Sequence, residues 1–143
     1  MEFRLLTNYD YILIHELDKT AFQDFWSADI FRNELVLSTR RYIGMFDGDT
    51  LVGYIGMNIV IDECDIIRVA IHKDYQGNGY SKLLFKNAIE YMRNIAVTKI
   101  LLEVSHINTI AISLYERLGF KKIFHRPHYY HDGSDALIYE LLI

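Results

Sequence analysis

The periodicity of the apolar residues changes abruptly near the middle of the chain, and two glycines mark the change. Cys64 to Ile71 reads as a strand, a short run filled mostly by Ile, Val and Ala. From Tyr80 onward, Leu83, Leu84, Asn87, Ala88, Tyr91 and Ile95 follow three- and four-residue steps, the spacing of an amphipathic helix. Between them lie Gln76, Gly77, Asn78, Gly79, Tyr80, Ser81 and Lys82. Glycine reaches positive φ without a Cβ penalty, so this pair lets the backbone turn sharply and aim successive amide hydrogens at one point. A strand, a glycine turn and a helix in succession must pack helix on sheet, which commits the chain to an α/β fold.

The flanking segments extend that reading. Asp10 is placed to cap a helix over Tyr11 to about Thr20, and a shorter helix follows Ser27. Arg41 to Phe46 and Thr50 to Ile61 read as strands of a hairpin joined by Asp47, Gly48 and Asp49. Lys99 to Val104 is almost continuously apolar, the signature of a strand buried on both faces. Ala111, Leu114, Tyr115 and Leu118 give a further helix closed by Gly119, and Lys121 to His125 and Ala136 to Leu142 are the last strands. The predicted order is two helices, then β-β-β-α-β-α-β-β, in a mixed α/β sheet. With 143 residues, 51% of them hydrophobic, and no repeat or linker, residues 1–143 are expected to form one domain burying about 70% of its unfolded surface.

Composition excludes several functions. The longest apolar run, Leu51 to Ile61, is half the ~20 residues needed to span a bilayer. Charges interrupt Met1 to Lys19, so no secretory signal is expected and the protein is placed in the cytoplasm. A net charge of −4 disfavours broad nucleic-acid binding, so a polyanionic ligand must be held by local donors. The single Cys64 can form no internal disulfide and reads as a buried apolar residue. His125, His128, His131 and Asp132 include metal-ligand types, but Pro127 and a turn break their helical spacing and no metal is expected.

The glycine loop is compatible with an ordinary turn or with a phosphate-binding nest at a helix N-terminus. A dinucleotide fingerprint fails because Lys82 stands where a third Gly is required, and no P-loop motif occurs. Gln76-Gly77-Asn78-Gly79-Tyr80-Ser81 resembles the diphosphate loop of the GNAT acetyltransferases, and Ile67 to His72 resembles their acetyl-CoA-binding strand. Leu102 to Asn108, Ala111 to Phe120 and Tyr129 to Ala136 are similar to the RimI-like branch, which acetylates protein N-termini. The resemblance covers nearly the whole chain.

The resemblance implies a GNAT-type fold and acetyl-CoA as cosubstrate, with no metal. Main-chain groups of Val69, Ala70 and Ile71 would bind the pantetheine arm, Gln76 to Lys82 the diphosphate, and Asn108 a further part of the cofactor. Ser81 replaces the usual Gly or Ala, and Ser105 a position often basic in the branch. Taken singly, Glu103 could be a solvated strand-end carboxylate and Tyr115 a core tyrosine. Together they suit an amine that must lose a proton and a thiolate that gains one. The matching Glu and Tyr of the branch carry those roles. Tyr129 and Tyr130 would wall the peptide entrance.

The branch points to a protein N-terminus as partner, with the N-terminal alanine of a small-subunit ribosomal protein as first choice. A monomer or weak homodimer is expected. Alternatives are a GNAT enzyme acting on a small amine or a lysine side chain, and a non-catalytic module that binds acetyl-CoA.

Overall fold

The computed structural model describes residues 1–143. Its elements are β1 (Glu2–Leu5), α1 (Tyr11–Ala21), α2 (Ala28–Glu34), β2 (Arg40–Asp47), β3 (Thr50–Val60), β4 (Glu63–Ile71), α3 (Tyr80–Asn94), β5 (Lys99–Ser105), α4 (Thr109–Arg117), β6 (Lys121–Arg126) and β7 (Ala136–Leu142). The seven strands form one sheet in the order β1-β2-β3-β4-β5-β7-β6, antiparallel throughout except between β4 and β5. No helix is long and apolar enough to cross a membrane.

Three expectations need correction. Strand β1 was not anticipated, because Glu2 and Arg4 break any apolar pattern; it forms by pairing with Ile43–Phe46, some 40 residues away in sequence. Asp10 stands at the start of α1 but caps nothing there. Its carboxylate accepts from the Thr7 amide at 2.7 Å and pairs with Arg4 at 2.9 Å, closing a capping box around the short 3-10 turn Asn8–Asp10. Strand β5 is not buried on both faces. Ile100, Leu102 and Val104 are buried, whereas Glu103 is exposed and Leu101 and Ser105 are half-buried.

The reason lies in how β4 and β5 meet. They pair only from Glu63↔Lys99 to Asp65↔Leu101 and then diverge, leaving the far ends of both strands without each other. Each face of the sheet carries its own core. Leu84, Phe85, Ala88, Ile89 and Met92 of α3 pack on one face with Ile55, Ile100 and Tyr139. Ile14, Leu17 and Phe31 of α1 and α2 pack on the other with Tyr42, Tyr54 and Ala70. Full burial of each such side chain contributes about 1.5–3 kcal/mol.

A bulge links these cores through β4. Pairing steps from Gly56↔Arg68 to Met57↔Ile66, so Ile67 is an extra residue. Cys64 and Ile66 face the α3 core, while beyond the bulge Arg68 and Ala70 face α1.

Candidate active site

The glycine loop is built as a donor cradle. Gly77 and Gly79 adopt φ of 80° and 79°, and a Cβ at either position would meet nothing within 4 Å, so both open onto free space. The Gln76 side chain donates through Nε2 to the Ile71 carbonyl at 2.9 Å, tying the loop to the end of β4. Asn78 donates to the carbonyls of Tyr75 and Gln76 at 3.2 and 3.1 Å, which tightens the turn. None of the main-chain amides from Gly77 to Lys82 finds an acceptor within the protein. They stand at the positive end of the α3 dipole, with Lys82 making no ion pair. The donor set and the open space fit the diphosphate of coenzyme A.

The neighbouring strand supplies a second set. The His72 amide donates to the Val52 carbonyl of β3 at 2.8 Å. By strand alternation Ala70 also faces β3, while Val69 and Ile71 direct their main-chain groups toward the side from which β5 has departed. The side chain of Ala70 is buried against α1.

Glu103 lies two residues beyond the last β4–β5 pair, on the α1 side of the sheet. The Tyr130 hydroxyl donates to its Oε1 at 2.8 Å. Burial, and then this carboxylate, push the Tyr130 hydroxyl well above the ordinary phenol range. Tyr129 packs edge-on against Tyr130, with ring centroids 5.2 Å apart. Their loop is stapled to the end of β5: Ser105 donates to Ser134 at 2.8 Å, Ser134 donates to Asp132 at 2.6 Å, and the Asp135 amide donates to His106 Nδ1 at 2.8 Å. His125 pairs with Asp135 at 2.6 Å, and His128 lies 3.1 Å from the Gly133 carbonyl, so both imidazoles brace the loop.

Tyr115 sits on α4 across the sheet from Glu103. Its half-buried ring contacts Phe85, Phe120 and Tyr139 at centroid distances of 5.5, 6.0 and 6.4 Å. Burial raises its hydroxyl above the usual value, so it stays protonated over the ordinary pH range. The two candidate acid–base residues therefore approach the gap from opposite faces. Asn108 caps α4, its side chain accepting from the Ala111 amide at 3.2 Å. Cys64 lies at the paired end of the two strands, 1% exposed, with its thiol pushed up to about 12 by burial and by Asp65.

Sequence reasoning missed a network on the α1 side of the sheet, in which Asp18 of α1 binds Arg68 of β4. A charged residue on the apolar stripe of α1, beside Ile14 and Leu17, was the available signal.

The sequence profile of the Acetyltransferase (GNAT) family matches residues 11–120, spanning the helices, the glycine loop and both diverging strands. The chain belongs to the GNAT acetyltransferase family. Like other GNAT enzymes it is an acetyl-CoA-dependent acyltransferase. A Bacillus subtilis relative with a provisional name as a ribosomal protein bS18-alanine N-acetyltransferase is 32% identical over 127 residues, 87% of this chain and 84% of the relative. The N-alpha-acetyltransferase RimI of Mycobacterium tuberculosis is 31% identical over 138 residues, 92% of this chain and 85% of that protein. The crystal structure of the Escherichia coli ribosomal-protein-S18-alanine N-acetyltransferase superposes with a TM-score of 0.92 at 27% identity, covering 99% of this GNAT chain and 93% of that one.

Proposed function

We propose that this enzyme acetylates the N-terminal amine of a protein, with the N-terminal alanine of a small-subunit ribosomal protein as its acceptor. The observation that carries the reading is the Tyr130–Glu103 hydrogen bond, which sets a carboxylate beside an aromatic loop at the mouth of the β4–β5 gap. The names of the similar proteins support the same acceptor.

Acetyl-CoA supplies the acetyl thioester. The amides of Gly77 to Lys82 bind its diphosphate, and the Val69 and Ile71 main chain orients the arm that carries the thioester. An α-amine with a pKa near 8 is neutral in roughly one molecule in ten at pH 7, against fewer than one in a thousand for a lysine. A modest base is enough. Glu103, directly or through water, takes the proton as the amine nitrogen bonds to the acetyl carbon. Tyr115, protonated, gives a proton to the sulfur as the carbon–sulfur bond breaks. With Cys64 held as a buried thiol, transfer runs directly from cosubstrate to amine.

Thiol release from acetyl-CoA tests the proposal, with an Ala-initiated ribosomal peptide compared against a polyamine, an aminoglycoside and an internal-lysine peptide. Preference for the N-terminal peptide supports it. Faster release with any other amine overturns it, and no release with any amine leaves a binding module.

A further inference from the structure

On the face of the sheet that carries α3, residues of α3, the end of α4 and the end of β7 enclose a cleft of about 710 Å³. Its lining is strongly basic. Lys82, Lys86 and Arg93 come from α3 and Arg117 from α4, and all four are exposed. None of them makes an ion pair. Glu90 is the one acid in the lining, and it pairs with neither Lys86 nor Arg93, four and three residues away.

Folding alone gives little reason for this collection. Lys82 and Lys86 are four residues apart on one helix face and repel each other. Arg93 and Arg117 stand in the last turns of their helices, where each dipole favours a cation, but no dipole favours setting the two around one cleft. The chain as a whole carries a net charge of −4, so the excess of positive charge is local.

The cations also form a line. Those of α3 follow steps of four and seven residues, one stripe of the helix, and from Lys82 to Arg93 the stripe rises about 16 Å at ~1.5 Å per residue. Lys82 adjoins the amides assigned to the diphosphate. Arg93, eleven residues further on, lies beyond the reach of a diphosphate seated on the first turn.

A ligand for this stripe must present repeated negative charge along its length. A phosphodiester chain does so at every unit of its backbone, whereas a peptide does so only where acidic side chains are placed. The two guanidinium forks hold phosphate oxygens bidentately. No aromatic residue lines the cleft, so no base can stack there.

We propose that the α3–α4 cleft binds the backbone of a single-stranded nucleic acid, with Lys86, Arg93 and Arg117 on its phosphates and no reading of sequence. The negative charge of the remaining surface confines the contact to this cleft and makes it sensitive to salt.

Fluorescence anisotropy of a short labelled single-stranded RNA, and of DNA of the same sequence, tests the proposal over a range of salt concentrations. Binding is expected at ~50 mM salt, and log K should fall against log salt with a slope of about −0.7 per phosphate held. Arg93→Gln and Arg117→Gln should each weaken binding roughly five- to tenfold and reduce the slope by about 0.7, and Glu90→Gln should tighten it. Coenzyme A affinity, read by calorimetry, should be unchanged in all three variants. Binding of either polymer with these effects supports the proposal, and the tighter of the two identifies the source of the phosphates. Absence of binding overturns it, as does binding that the arginine variants leave unaltered. A parallel loss of coenzyme A affinity assigns the cleft to the cosubstrate and overturns it as well. Displacement of the RNA by a polyglutamate peptide at lower concentration than by unlabelled RNA overturns it in favour of an acidic protein.

Discussion

The Tyr130 hydroxyl donates to Glu103 Oε1 at 2.8 Å, bridging the β6–β7 loop and the diverging half of β5. One hydrogen bond thus connects the proposed acceptor loop to the proposed base. Tyr130→Phe removes the donor and leaves the ring. The acceptor KM should rise about three- to tenfold, the size of an ordinary hydrogen bond, with the acetyl-CoA KM unchanged. Initial-rate measurements over both substrates check this.

Glu103→Gln and Tyr115→Phe should each lower kcat by roughly 10²- to 10⁴-fold while leaving coenzyme A affinity intact by calorimetry. The pH profile separates the two. Tyr115 must be protonated to act, and burial raises its hydroxyl above the usual phenol value, so activity attributable to it persists past pH ~10 before falling. A basic limb near neutrality that disappears in Tyr115→Phe would contradict this assignment.

Gly79 occupies a left-handed conformation with φ 79° in front of open space. Gly79→Ala therefore meets no clash but carries backbone strain of about 1–2 kcal/mol. Relaxing that strain would re-aim the loop amides. We expect a roughly tenfold weaker coenzyme A affinity, equivalent to about 1.4 kcal/mol, measured by titration calorimetry.

Cys64, 1% exposed and with its thiol pushed up to about 12, carries almost no thiolate at neutral pH. Iodoacetamide should leave the native enzyme active and unlabelled, with labelling only on unfolding, as read by mass spectrometry. Cys64→Ala should keep kcat near that of the parent. Recovery of an acetylated enzyme after incubation with acetyl-CoA alone would argue for a covalent route.

Arg4 holds the Asp10 carboxyl below the usual carboxylate range, with the Thr7 amide adding to the effect. A group whose folded value is depressed contributes stability above its unfolded value, near 3.9, and loses it as pH falls through the folded one. Thermal unfolding should therefore show a decline below pH ~4 that is shallower in Asp10→Asn.

The helices and strands near the glycine loop were legible because their signals are local: apolar period, turn residues and caps. Boundaries there agree to within two residues. The acid–base candidates were legible as residue types, and a solvated Glu103 was one of the readings, but the parting of β4 and β5 around it was not legible. Strand β1 and the Arg68–Asp18 pair escaped for the same reason. Their partners are distant in sequence, 50 residues apart for the ion pair; β1 leaves no periodic trace, and the pair leaves only the charge of Asp18 on the apolar stripe of α1.

Where β4 and β5 part after Asp65↔Leu101, the sheet forgoes its own ladder and leaves main-chain groups of β4 without a strand partner on that side. Such groups belong to every amino acid alike. Substitutions on β4 that keep its two packed faces and the Arg68–Asp18 pair should therefore leave those main-chain groups in place, whichever side chains carry them.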